Sequence, residues 1–226
     1  MRKVIFFLLL FGASIGTSLA QGVSMSFIVP KNGYFSAPVS PLSVRGLGYT
    51  WGVIGFATGA SLYSMPGLPM SDLPFQSSKP LVGPFWSLLV PLQLTLGVEG
   101  SRVSAKLLAG GFGMWHLAPR VDYGNMDRAI AEYEGWDVVN ADLDLKNKLG
   151  GGWIGGVELA FHVSRQFSIT TEVEYLSGVS SMPLRGSYSG GMIGGEIETR
   201  PADFADAQVL LEGLEISVGV VIHSGR

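Results

Sequence analysis

The sequence predicts an all-β fold in which eight antiparallel strands run up and down and close into a transmembrane barrel. Two observations carry this. Large apolar residues alternate at period two with small or polar ones over long stretches, which is the spacing of strands and not of helices. The connections between those stretches also alternate strictly between short and long along the chain, so every short turn falls at one end of an up-and-down barrel and every long loop at the other. Both termini then lie at the short-turn end, which requires an even number of strands.

The N-terminus reads as a targeting segment. Arg2-Lys3 precedes an apolar run from Val4, which ends at the small residues of "TSLAQG". This is the pattern of a secretory signal peptide over residues 1–20, leaving residues 21–226 as one barrel domain. The first strand is expected at Val23–Val29, where Val23, Met25, Phe27 and Val29 alternate with serines. Leu42–Trp51 and Phe56–Met65 follow around a tight connection at 52–55. Phe85–Val98 places Trp86, Leu88, Val90, Leu92, Leu94, Leu96 and Val98 on one face and Ser87, Gln93, Thr95 and Gly97 on the other. Pro91 weakens it, having no N–H to give the ladder. Across 99–101 the chain returns through Arg102–Leu117. In "GWIGGVELAFHVSRQFSITTEVEYL", residues 152–176, two strands flank a turn at 164–166. Leu210–His223, with Leu214, Ile216, Val218, Val220 and Ile222 on one face, is the eighth. The long connections are 30–41, 66–83, 118–149 and 179–208, and "MDRAIAEYEGW" in the third is expected to form a short helix.

Alternation alone does not say which face meets water. Three features turn the apolar face outward. The polar face is rich in Gly, Ser, Ala and Thr, which suits the narrow lumen of an eight-stranded barrel. Tyr49, Trp51, Trp86, Trp115, Trp153, Phe161, Phe167 and Tyr175 gather toward strand ends, as interfacial aromatic girdles require. Short turns at one end and long loops at the other match periplasmic turns and extracellular loops. Composition agrees: only 15% of residues are charged and mean hydropathy is +0.35, yet no apolar run of about 20 residues follows the leader.

The chain resembles the small eight-stranded outer-membrane barrels of Gram-negative bacteria, such as the membrane anchor of outer membrane protein A. The resemblance covers nearly all of residues 21–226 and rests on the leader, strand number, alternation and loop asymmetry. It implies location in the cell outer membrane, with outer-membrane lipid around the barrel. Proteins of that family usually end their last strand on an aromatic residue, whereas this chain ends "VGVVIHSGR".

Several function classes are disfavoured. The chain has no cysteine, which removes disulfides, thiolate metal sites and a lipoprotein anchor. The formal charge of −3 becomes −5 without Arg2 and Lys3, so no nucleic-acid surface is expected. No cofactor is implied, and nothing in the sequence sets an oligomeric state. His116, His162 and His223 all read as inward-facing but at different heights, which argues against a shared metal. "LGGGWIGG" lacks the Lys-Ser/Thr of a phosphate loop, so its glycines are expected to relieve crowding in the wall. The acidic loop 118–149, with Asp122, Asp127, Glu132, Glu134, Asp137, Asp142 and Asp144, has no EF-hand spacing and is expected to be solvated.

The candidate site is an interior ion-pair network of Arg102 and Lys106 with Glu158, Glu172, Glu174 and Glu215. Lys106, Glu158 and Glu172 are expected at one height, because an unpaired charge inside a barrel costs several kcal/mol. Its expected role is structural. The function expected is that of a non-enzymatic barrel whose external loops adhere, dock a protein partner or support the envelope. The alternatives are a soluble lipocalin-like barrel with its apolar face inward, and a barrel-embedded lipid-modifying enzyme.

Overall fold

The computed structural model describes residues 21–31 and 37–222; the expected signal peptide and His223 lie outside them. In chain order the elements are β1 (Gln21–Pro30), β2 (Val39–Trp51), β3 (Ile54–Met65), β4 (Met70–Ser71), β5 (Phe85–Glu99), β6 (Val103–Leu117), α1 (Tyr123–Glu134), β7 (Val138–Leu145), β8 (Gly150–His162), β9 (Phe167–Ser181), β10 (Leu184–Gly191), β11 (Glu198–Phe204) and β12 (Gln208–Ile222). The barrel runs β1-β2-β3-β5-β6-β8-β9-β12, each strand antiparallel to the next. It closes where β12 pairs back onto β1, from Gln21 opposite Ile222 to Pro30 opposite Gly213. The expected eight barrel strands are therefore present. None of the described helices is long and apolar enough to cross a membrane.

The outer surface is apolar. Along β5, Leu92, Leu94 and Val98 are 65%, 71% and 67% exposed, whereas their neighbours Gln93 and Thr95 are buried inside. A wall of this kind is stable against hydrocarbon and not against water, the reverse of a lipocalin-like barrel. Its backbone must then satisfy every donor and acceptor within the sheet. Pro91 is accommodated within β5 at a local lapse in the β3–β5 ladder: Thr58 pairs with Leu92 and Ser61 with Leu89, but no pairing joins them in between. The Thr58 hydroxyl donates to the Pro91 carbonyl at 2.6 Å. The glycines of "LGGGWIGG" sit where strands crowd. A Cβ on Gly152 would stand 2.0 Å from the Ser177 oxygen, and one on Gly156 2.0 Å from that of Val173.

The lumen is filled unevenly. In its loop-side half, Ile28, Met65, Phe85, Leu89, Met114 and Leu176 belong to one buried apolar cluster, capped by Leu68, Val82 and Met182 from the connections. The turn-side half is polar and holds a cavity of ≈ 620 Å³ bordered by the turn-end residues Thr50, Gly52 and Glu99.

The long connections are not simple loops, which corrects the expectation for 66–83, 118–149 and 179–208. They fold together into a cap. β7, β10 and β11 form a second, three-stranded sheet in the order β11-β10-β7, and α1 packs against β7. Met126, Ile130, Leu143, Leu184 and Tyr188 share a second apolar core. β4 extends β12 at Gln208 and Val209, and the Gly83 and Asp122 N–H groups bond to the Arg120 and Leu81 carbonyls. The helix forms where it is expected because both ends are capped. Asp122 accepts from the Asn125 N–H, and Gly135, with φ 69°, returns its N–H to Ala131.

Cap and short turns lie at opposite ends of the barrel, and a chain without cysteine makes this easy to read. Ile193→Cys, at the tip between β10 and β11, should react with a membrane-impermeant maleimide on intact cells. Gln166→Cys, in the turn after β8, should stay unlabelled until the outer membrane is opened. The opposite pattern would invert the topology.

Candidate functional site

The charged groups of the lumen form a layer beneath the apolar plug. At its centre is Arg45 of β2, 8% exposed, surrounded by Glu172, Glu174 and Glu215, which are 8%, 1% and 1% exposed. Arg45 Nη1 lies 3.1 Å from Glu174 Oε2 and 3.5 Å from Glu172 Oε2, while Nη2 binds Glu215 Oε1. Gln93 Nε2 of β5 donates to the other oxygen of Glu174. Serines join the strands around this layer: Ser26 bonds to Ser217 at 2.6 Å and to Ser43 at 3.2 Å, and Ser217 donates to Glu215 at 3.3 Å. Glu215 Oε2, Arg45 Nε and the Tyr63 hydroxyl are buried without a hydrogen-bond partner among the described residues.

A backbone irregularity aims Arg45 at the lumen. Val44 pairs with Ala60 and Leu47 with Thr58, so β2 carries one residue more than β3 between them. Gly46, at φ 73°, takes the left-handed conformation there. A bulge of this kind bends the strand and re-aims a side chain. To reach Glu215 and Glu174 the guanidinium must span β1, which lies between β2 and β12. The inward residues of β1 at this level, Ser24 and Ser26, are small enough to leave the path open.

The expected network is redistributed by this geometry. Lys106, Glu158 and Glu172 do sit at one height, paired across β6, β8 and β9. Lys106 Nζ, however, contacts Glu158 alone at 2.8 Å, and its side chain is one-third exposed. Glu172, Glu174 and Glu215 are held by Arg45, which the sequence reading did not include. Arg102 lies exposed in the turn before β6 and makes no ion pair among the described residues, because it sits at the rim, four residues beyond the level at which Lys106 faces Glu158. A lone arginine in the otherwise apolar and small "LSVRGLG" was the available signal; the bulge hid it by breaking the alternation. The described histidines are separate. His116 bonds to Ser87 at 2.6 Å, and His162 sits between Ser104 and Ser168, 2.7 Å from each.

In the cap the acidic residues divide: Glu132, Asp142 and Asp144 are exposed to solvent as expected, whereas others are used by the fold. Asp127 accepts the Ala141 N–H at 2.9 Å, Asp137 accepts that of Ile193 at 2.8 Å, and Glu134 accepts the Tyr188 hydroxyl and pairs with Arg200. Arg200 also lies 4.9 Å over the Trp136 ring.

Comparison with known proteins follows the same outline. No family model matches the chain, and no curated protein matches it. Among solved structures it is similar to the outer membrane protein OprG from Pseudomonas aeruginosa, with a TM-score of 0.59 and 10% identity over 93% of this chain and 99% of that one. The chain has the fold of a small outer-membrane β-barrel. A major outer membrane protein from Thermus thermophilus aligns over 91% of this chain and 98% of that one, at 11% identity and a TM-score of 0.37.

Two outcomes follow from these contacts. Arg45→Ala strands three buried carboxylates and should cost about 3–5 kcal/mol. Lys106→Ala removes a half-solvated pair and should cost about 1 kcal/mol or less. Urea unfolding in lipid vesicles measures both, and equal midpoints for the two variants would remove Arg45 from the centre of the network. In the cap, burial pushes the Tyr188 phenol from its ordinary 10 up to about 12, with its bond to Glu134 adding to the rise. The folded cap therefore favours the neutral phenol. This contribution is complete below pH about 10 and is lost as pH rises through about 12. Trp136 fluorescence should report loosening in that window, and Tyr188→Phe should abolish that part of the alkaline dependence.

Proposed function

We propose that the protein is exported to the outer membrane, has no enzymatic activity, and works as a scaffold that holds an ordered cap outside the cell for adhesion or for docking a protein partner. The observation that carries this reading is the pairing of a cap that has its own core with a lumen that is filled beneath it. The segments at 66–84, 118–149 and 182–207 do not hang as separate loops but share a sheet, a helix and an apolar interior. A rigid surface of this kind presents partner-binding residues at low ordering cost. Phe85, Leu89, Phe112 and Met114 occupy the lumen below it, where a solute path would have to run. Eight strands leave an interior that side chains fill, whereas open aqueous channels need about sixteen.

The absence of catalysis is supported by where the close Ser–His contacts lie: Ser104, His162 and Ser168 face the turn-side lumen. Ser87 and His116 are buried inside the barrel against the Phe85 ring. A lipid substrate would approach from the outer wall.

Replacing Leu184–Phe204 by a short linker separates the two halves of the reading. Cells displaying this variant at wild-type level should lose attachment to surfaces or partner cells that the full protein confers, and unchanged attachment would refute the docking role. In planar bilayers, both the full protein and the shortened one should show no stable conductance, because the plug belongs to the barrel and not to the cap. A reproducible monomeric channel would refute the scaffold reading.

A further inference from the structure

The turn-side half of the lumen carries more negative charge than the fold uses. Five carboxylates, of Glu99, Glu158, Glu172, Glu174 and Glu215, face two cations, Arg45 and Lys106, an excess of three. Three of the five, Glu99, Glu158 and Glu172, line the ≈ 620 Å³ cavity. That volume falls in the range of small-ligand sites. The apolar plug closes it on the loop side, so entry is from the short-turn end.

Glu172 is the residue that points to a ligand. It is more than nine-tenths buried and borders the cavity. Its one close partner among the described residues is Arg45 at 3.5 Å, an ion-pair separation with no hydrogen bond, and that guanidinium is committed more closely to Glu174 and Glu215. A desolvated carboxylate so weakly compensated calls for a donor from the cavity.

The spacing of the carboxylates selects the kind of donor. Glu158 and Glu172 are directly opposed on β8 and β9. Glu99 is level with Ser104 and Ala160, two residues nearer the mouth, which is about 7 Å of strand rise. The acids are strung along the cavity and do not converge: among the described residues no group of three could share a metal ion.

We propose that this vestibule binds a linear organic polyamine that enters from the short-turn side. One ammonium group donates to Glu172 and Glu158, and another to Glu99 nearer the mouth. Primary and secondary amines fit because they supply N–H donors, which a quaternary ammonium lacks. The inference is independent of the cap and of its proposed docking role.

Calorimetric titration of the purified, detergent-solubilised protein with spermidine at low ionic strength tests it. One saturable site is expected, weakened by added salt, with choline binding at least about tenfold more weakly. Glu172→Gln should weaken spermidine by about tenfold, and Glu99→Gln, at the exposed mouth, by about twofold to threefold. Should Glu172→Gln fail to fold, carbodiimide treatment of the unaltered protein with spermidine replaces it: a bound primary amine displaces the urea from the activated carboxyl, so mass spectrometry is expected to find spermidine joined as an amide to Glu172 or Glu158. Absence of a saturable site, equal binding of choline and spermidine, wild-type affinity in both variants, or the absence of a spermidine amide on both Glu172 and Glu158 would each overturn the proposal.

Discussion

Backbone hydrogen bonding in hydrocarbon is the constraint from which the rest of this structure follows. A strand within a bilayer has no water to satisfy its N–H and C=O groups, so a sheet there must have no edge. The pairing of β12 with β1 removes the edge that an open eight-stranded sheet would leave. Closure fixes the side-chain arrangement as well. Period-two alternation sends leucines, valines and aromatics outward to lipid, and everything else must fit inside a narrow tube. Gly152 and Gly156 mark where the tube is too tight for a Cβ.

The tube is filled in two different ways. On the loop side the filling is apolar and continuous with residues from the connections, so the barrel and the chain above it are packed as one body: Met70 and Leu145 touch both the plug and the core of the cap. On the turn side the filling is ionic. Buried carboxylates persist in such a place only when a cation holds them, and here the holding runs through one guanidinium. Arg45 joins β2 to β9 and β12 across the lumen, a tie between strands that the sheet does not bring into contact. The layer thereby braces the barrel across its width while leaving an acidic cavity below it.

Above the membrane the same logic is repeated on a smaller scale. The connections are long enough to build a sheet and a helix, and several of their acids are spent on backbone and side-chain donors. Asp122 and Gly135 end the helix, Asp127 fixes β7 to it, and Asp137 holds the tip of the β10–β11 hairpin. These carboxylates look like a solvated charge run in the sequence because their partners are distant: Glu134 meets Tyr188 and Arg200 only after the third and fourth long connections are brought together.

Strand number, strand faces and the up-and-down order were determined by the sequence alone, because alternation and connection length are local properties of the chain. The helix at Tyr123–Glu134 was legible for the same reason. Which cation meets which carboxylate was decided only by the tertiary structure. Period two gives a residue's face and an approximate height, and by those measures Lys106 is a good partner for Glu172. It cannot show that a bulge at Arg45–Gly46 turns an arginine inward, nor that Ser24 and Ser26 leave room for it to cross β1. The folding of the connections into a cap was equally a tertiary decision, since β7 and β10 belong to different connections and pair only in the folded chain.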